Sequence, residues 1–202
     1  PNESASVLID HSAFTIHHFA INWFQNRLNE VKAEVDGLMK QFRLSEALKT
    51  IYSLIWDDFC SWYLEWVKPG FEQPIEASVY KKTIEFFTGL VQLLQPYMPF
   101  VTEEIYHLLE ERKDDLCIMQ FVQAKPADKK ILLQGELLKQ VITTIRDARN
   151  RNQLKPKEII RLYIETASPE SYSSFKDILS KQVNAGEISF VHKAVANSIV
   201  VA

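Results

Sequence analysis

The sequence predicts a mainly α protein: an antiparallel helix bundle over residues 1–128, followed by a small, truncated α/β segment over residues 129–202. Three observations predict it. Before residue 124, apolar side chains recur three or four positions apart in successive stretches, the spacing of amphipathic helices. Short connections marked by proline or glycine separate these stretches, which favours antiparallel neighbours. After Pro156 the apolar period drops to two, the alternation of a half-exposed strand.

The first helix is expected over about residues 14–41, with Ile16, Phe19, Ala20, Trp23, Leu28, Val31, Val35 and Leu38 on its inner stripe and Gly37 weakening its last turn. Ser45 is placed to cap a second helix, whose inner face is read as Leu48, Ile51, Tyr52, Ile55, Phe59, Tyr63 and Trp66. Lys68-Pro69-Gly70 ends it, because proline disfavours helical geometry in the preceding residue and glycine frees the chain to turn. A third helix over about 76–94 buries Val79, Phe86, Phe87, Leu90, Val91 and Leu94, and Pro96 closes it. Tyr97 to Val101 reads as a buried, extended connector. Thr102 then caps a fourth helix, with Glu103 and Glu104 complementing the dipole in its first turn and Ile105, Tyr106, Leu108 and Leu109 supplying contacts.

Residues 124–130 contain proline and lysines and are read as the domain boundary. Leu132, Leu137, Leu138, Val141, Ile142 and Ile145 predict a fifth helix with a basic end, which Pro156 prevents from continuing. Ile160, Leu162 and Ile164 alternate with Arg161, Tyr163 and Glu165 in a strand. Ser168-Pro169-Glu170 starts another helix, and Ile188 to His192 and Asn197 to Val201 read as short strands of an unfinished sheet.

With 47% hydrophobic residues in 202 the chain can build a proper core, while only five glycines argue against glycine-rich phosphate cradles. Cys60 and Cys117 have no cysteine or histidine at metal-ligand spacing and read as buried free thiols; no metal site is expected. Pro1 to Asp10 does not resemble a signal peptide and no apolar run reaches membrane-spanning length, so a cytoplasmic setting is expected. The net charge of -3 conceals an uneven distribution. Glu103, Glu104, Glu110, Glu111, Asp114 and Asp115 make one stretch acidic, and its run from Glu110 to Asp115 reads as a solvated helix end that would repel RNA. Arg146, Arg149, Arg151, Lys155 and Lys157 cluster at a helix end and the loop beyond, where guanidinium forks and ammonium groups can meet phosphate oxygens. A solvated face, or arginines bridging the two domains, explains the same residues.

Other candidates have plainer readings. Trp56, Trp62, Tyr63 and Trp66 could stack on unpaired bases, but Tyr63 and Trp66 share a face with Ile55 and Phe59, which favours core packing. Asp57, Asp58 and Glu65 could suggest paired carboxylates for acid-base work; on a helix without a histidine or cleft signature, hydrogen bonding within the bundle is the better reading. His17 and His18 are adjacent, so they face different sides of a helix and lack a metal-binding partner.

The segment Trp56-Asp57-Asp58-Phe59-Cys60-Ser61-Trp62-Tyr63-Leu64-Glu65-Trp66-Val67-Lys68-Pro69 closely resembles the aromatic segment in the anticodon-binding domain of valyl-tRNA synthetases. Two helices later, Leu93-Leu94-Gln95-Pro96-Tyr97-Met98-Pro99-Phe100-Val101-Thr102-Glu103-Glu104-Ile105-Tyr106 is similar to that family's Met-Pro-Phe connector, and Ile145-Arg146-Asp147-Ala148-Arg149 resembles its arginine pair. The likeness spans Asn22 to Thr166 in order. Sister enzymes for isoleucine, leucine, methionine and cysteine share the bundle; the tryptophan-rich segment points to valine. Ser61 and Gln95 depart from the aspartate and histidine frequent at those positions.

The resemblance implies a helix bundle of the class I synthetase anticodon-binding type. It marks Trp56, Asp57, Cys60, Trp62, Tyr63, Glu65, Lys68, Pro96, Pro99, Phe100, Thr102, Glu103 and Glu104 as the family's structural motif. It implies recognition of the anticodon arm of valine tRNA, within an enzyme that ligates valine to that tRNA using ATP and Mg. The His-Ile-Gly-His and Lys-Met-Ser-Lys-Ser signatures that hold ATP and the activated amino acid do not occur in this sequence, so no catalytic residue is expected here. The chain is therefore expected to be a non-catalytic piece of a monomeric enzyme, lacking an upstream base-reading helix and a downstream coiled coil. The rival expectation is a helical protein-interaction module without RNA binding.

Overall fold

The computed structural model describes residues 11–199 apart from 71, 122, 156, 194, 196 and 197, with side chains from residue 17 onward. Among the described residues the fold is mainly helical with one two-stranded sheet, and these residues fall into two compact units, 20–135 and 11–19 with 136–199, whose dividing points lie inside two long helices.

In the first unit, α1 (His11–Lys40) is about 45 Å long at 1.5 Å per residue and buries Ala20, Trp23, Phe24, Leu28, Val31 and Val35 on one stripe. Its end is closed by a six-to-one pair of bonds, with the Arg43 N–H donating to Leu38 O at 2.9 Å and the Phe42 N–H to Met39 O at 3.0 Å. The left-handed position in this motif usually carries glycine. Here it carries Phe42 at φ 58°, a conformation costing about 1–2 kcal/mol for a residue with a Cβ.

That closure changes the start of the next helix. α2 (Leu44–Ser53) begins directly after Arg43 with no side-chain cap, so the expected capping residue Ser45 lies inside it. α2 then passes into a π-helical stretch (Leu54–Tyr63) and a last turn, α3 (Leu64–Val67), where one regular helix was expected. The burial pattern supplies the reason. Leu54, Asp58, Phe59 and Tyr63 are all buried, yet the nine positions from Leu54 to Tyr63 are two and a half turns at 3.6 residues per turn, which would put the two on opposite sides. The wider i→i+5 winding, at roughly 4.4 residues per turn, completes about two turns over the same span and returns both to the core. Ser61 Oγ donates to Trp56 O, five residues back, at 2.8 Å. Leu48 and Tyr52, expected inside, are exposed, and Cys60 and Cys117, expected buried, are exposed as well. Lys68 leaves the helix at ψ 125°, as the following proline requires.

α4 (Ala77–Leu94) buries Val79, Phe86, Leu90, Val91 and Leu93. Phe24 is the hub of the aromatic core, with ring centroids 5.2 Å from Phe59, 5.0 Å from Tyr63 and 5.0 Å from Phe86. The expected buried connector is neither buried nor extended. Pro99 is the first residue of α5 (Pro99–Leu109), a position that tolerates its missing N–H, and Met98, Phe100 and Val101 are exposed. Thr102 is consequently inside the helix, where its hydroxyl bonds back to Met98 O at 2.8 Å instead of capping. Leu108 is exposed too, so α5 rests on Tyr106, which with Val91 and Leu116 forms a small side core. Asp128 Oδ1 accepts the Lys130 N–H at 2.8 Å at the start of α6 (Lys129–Arg151). Gly135 on α6 lies against Trp23, whose ring stands 2.1 Å from where a Cβ would be.

In the second unit, β1 (Ile160–Glu165) pairs in parallel with β2 (Ala185–Val191), from Ile160 beside Ala185 to Glu165 beside Val191, with one bulge after Ile160. Parallel strands need a crossover, which α7 (Glu170–Ser173) and α8 (Lys176–Val183) supply. Leu138, Ile142, Phe175, Ile178, Leu179, Val183 and Ile188 make its core, and Phe19 packs on Phe175 at 5.5 Å. Pro156, Pro1 to Asp10 and most of the expected strand over 197–201 lie outside the described residues.

Candidate nucleic-acid interface

The basic segment forms where α6 ends. A second left-handed turn closes this helix at Gln153, φ 56°, with Leu154 N–H donating to Arg149 O at 2.9 Å. Arg149 and Arg151 occupy the last helical turn, where cations complement the dipole. Their side chains then part company. Arg149 is buried, and its guanidinium donates to Val183 O at 3.1 Å, Lys155 O at 2.5 Å and Glu158 O at 2.6 Å. It ties the loop after α6 to the end of α8, and three carbonyl oxygens occupy the fork that the sequence reading offered to phosphate.

Arg146 is exposed and donates to Gln182 Oε1 at 2.9 Å. Arg151, Lys155 and Lys157 are exposed, and none has an ion-pair partner among the described residues. The backbone beneath them is held, since Asn184 Nδ2 donates to Lys157 O at 2.7 Å and Arg149 holds Lys155 O. Three cations thus lie at the end of α6 and on the loop beyond it, whose backbone is held by buried Arg149 and half-buried Asn184. Beside them, Arg146, Arg149, Asn150, Leu154, Gln182 and Val183 line a shallow cavity of about 350 Å³. Cations carried on a held backbone concentrate positive charge at this turn.

Within the aromatic segment, the face that Tyr63 and Trp66 share with Phe59 packs into the core as expected. Tyr63 and Trp66 are fully buried, with Trp66 4.7 Å from Trp23, and Trp62 is half-buried against Trp66 at 6.0 Å. Trp56 is 59% exposed and stands nearly parallel to Tyr52, at 6.3 Å and 11°. Burial pushes the Tyr63 phenol above its ordinary range, partly offset by its 2.9 Å bond with Thr83 Oγ1, and partial desolvation raises the Cys60 thiol even though that residue reaches the surface.

The carboxylates are spoken for. Asp58 is buried and accepts from Arg27 Nε at 2.8 Å; burial pulls the Arg27 pKa down, but Asp58 and Glu30 more than offset it and the net shift is upward. Asp57 accepts from Ser53 Oγ at 2.7 Å and Glu65 pairs with Lys68 at 3.4 Å, both at the surface. Of the remaining motif residues, Glu104 and Pro96 are exposed. Glu103 accepts the Leu116 and Cys117 N–H groups at 2.5 and 3.2 Å, fixing the short 3₁₀ turn at Leu116–Ile118. His17 is half-buried and His18 exposed.

One cluster was not singled out from sequence. Glu103, His107 and Asp115 bring donor atoms within 4.8 Å of one another, with His107 Nε2 at 3.4 Å from Glu103 and 3.1 Å from Asp115. These three are the described residues best placed to hold a cation. The i,i+4 Glu-His pair was legible; the third member arrives through the turn. Among the described residues, no helix is long and apolar enough to cross a membrane.

A family profile described as the anticodon-binding domain of tRNA ligase matches residues 22–164. The chain is 41% identical over 181 residues to a valine–tRNA ligase of Porphyromonas gingivalis, covering 89% of this chain and 20% of that protein. It is 36% identical over 182 residues to the valine–tRNA ligase of Parabacteroides distasonis, covering 89% and 20%, and 33% identical over 158 residues to that of Bacillus licheniformis, covering 75% and 18%. The chain spans about a fifth of the length of the curated relatives it matches.

Proposed function

Because this chain belongs to the family of anticodon-binding domains of tRNA ligases, we propose that it is the region of a valine–tRNA ligase that grips the anticodon arm of valine tRNA. The observation that carries the reading is the continuous match over 22–164, which runs through the whole aromatic core and into β1. Its contribution is binding energy and positioning: holding one arm of the tRNA fixes where the distant acceptor end lies, so that joining valine to it costs less orientational entropy. ATP and Mg act in polypeptide outside this chain, and the enzyme works as a cytoplasmic monomer. The continuous match to anticodon-binding domains does not favour a protein-interaction module without RNA binding.

Within this reading Arg146, Arg151, Lys155 and Lys157 contact tRNA phosphates, and Arg149 shapes the turn that presents them. Each phosphate contact adds roughly 0.7–0.9 to the slope of log affinity against log salt. Alanine at Arg151, Lys155 and Lys157 together is expected to reduce that slope by about 2, measured with valine tRNA and the full-length protein. An unchanged slope would remove the phosphate role.

A further inference from the structure

One end of the 20–135 unit is more apolar than scattered surface residues explain. The turn after α1 exposes Phe42 to 87% and also exposes Leu44, and the start of α5 exposes Phe100 to 91% along with Met98 and Val101. The two segments are neighbours, because Tyr97 Oη donates to Leu44 O at 2.7 Å and approaches Met39 Sδ at 3.8 Å. Single exposed apolar side chains are ordinary; a contiguous group marks an interaction surface. The backbone adds a second argument. Phe42 takes the left-handed position that glycine occupies without strain, and its ring, pointing into solvent, gains no packing in return.

The geometry points to a protein-docking surface: Phe42, Leu44, Met98, Phe100 and Val101 seat an apolar face of the polypeptide that completes the ligase. This rests on the function proposed above, since the relatives are about five times longer than the stretch matched and the remainder supplies the occupant. The chemistry of the patch favours polypeptide over RNA. Phe42 and Phe100 are rings of the kind bases stack on, but Leu44, Met98 and Val101 between them offer neither a stacking face nor a hydrogen bond to a base edge. Lys40 pairs with Asp36 at 2.6 Å and Arg43 with Glu46, and Lys49 beside Glu46 is outnumbered by Glu103 and Glu104 in α5. A phosphate backbone meets no excess positive charge there. An aliphatic and aromatic face on the partner segment would bury all five side chains and compensate the strain at Phe42.

The test uses cysteine reactivity. Phe42→Cys and Phe100→Cys are made separately, with Cys60→Ser and Cys117→Ser removing the two exposed native thiols. Maleimide labelling is timed in this 202-residue chain and in the full-length protein, with and without tRNA. Labelling at both positions is expected to be at least about tenfold slower in the full-length protein, whether or not tRNA is present. Equal rates in both proteins overturn the proposal. Slowing only with tRNA assigns the patch to RNA, and concentration-dependent slowing in the short chain assigns it to a second copy; either result overturns it too. Oxidative footprinting of the unsubstituted Phe42 and Phe100 rings gives the same comparison without any substitution. Binding of valine tRNA by the unlabelled full-length protein is read separately, so a protected patch in a protein that ignores tRNA would sink the functional reading alone.

Discussion

Replacing Arg149 with alanine removes a guanidinium that donates to Val183 O, Lys155 O and Glu158 O. Val183 is buried, so its carbonyl is left without a donor at a cost of about 1–3 kcal/mol. Lys155 and Glu158 are exposed residues whose carbonyls regain water, and losing each of those bonds costs nearer the net value of about 1 kcal/mol. The total is roughly 3–5 kcal/mol, concentrated in the unit that holds the sheet. For a unit of this size each kcal/mol moves the midpoint by about 4–8 °C, so thermal unfolding followed by circular dichroism should show a loss of about 12 °C or more. Hydrogen exchange should speed up in the loop after α6 and at the start of β2. Arg151→Ala, one turn-mate away and exposed, should stay within about 0.5 kcal/mol of the parent. An Arg149→Ala protein with an unchanged midpoint and a salt slope lowered by about 0.7–0.9 would refute the stapling role and restore Arg149 to the phosphate contacts.

Phe42→Gly should stabilise the chain by about 1 kcal/mol in urea unfolding, because it relieves a left-handed position without losing packing. Two glycines should respond with opposite signs. Gly37→Ala meets nothing within 4 Å and should gain about 0.5–1 kcal/mol from helix propensity, whereas Gly135→Ala drives a Cβ to within 2.1 Å of Trp23 and should lose about 1–3 kcal/mol, both read from denaturation midpoints. Tyr63 retains its proton in the folded state beyond the pH at which the unfolded phenol ionises, so its contribution makes stability fall as pH rises through about 10; Tyr63→Phe should flatten that fall in a pH series of unfolding curves. Asp58→Ala leaves a half-buried Arg27 without its main partner and should cost about 2 kcal/mol by chemical denaturation, with Glu30 limiting the loss.

Much of this architecture is legible because local periodicity and burial agree. The Phe19-Trp23-Val31-Val35 stripe of α1, the Phe86-Leu90 face of α4 and the alternation in β1 all lie where spacing puts them. Departures occur where a nonlocal partner or an unusual winding decides. A 3.6-residue period cannot place Leu54 and Tyr63 together, so the π stretch escapes a helical-wheel argument, whereas Tyr52, in the regular turn before it, faces out about 100° from buried Ile51. Ser45 looks like a cap until Phe42 closes α1 one residue too soon for it. Basic residues in a row read as one patch; only the fold reveals that Arg149 turns inward to carbonyls contributed by Lys155, Glu158 and Val183 while its neighbours turn out. Resemblance in the aromatic and Met-Pro-Phe segments carried function further than any of these patterns, since bundle periodicity alone is shared by proteins of many kinds.

The most direct test is photo-crosslinking of the full-length protein to valine tRNA, with the joined peptides and nucleotides mapped by mass spectrometry. Nucleotides of the anticodon arm should be joined to peptides from residues 20–165, including the turn that bears Arg151, Lys155 and Lys157. Anticodon-arm crosslinks that all map to polypeptide outside this chain would contradict the account.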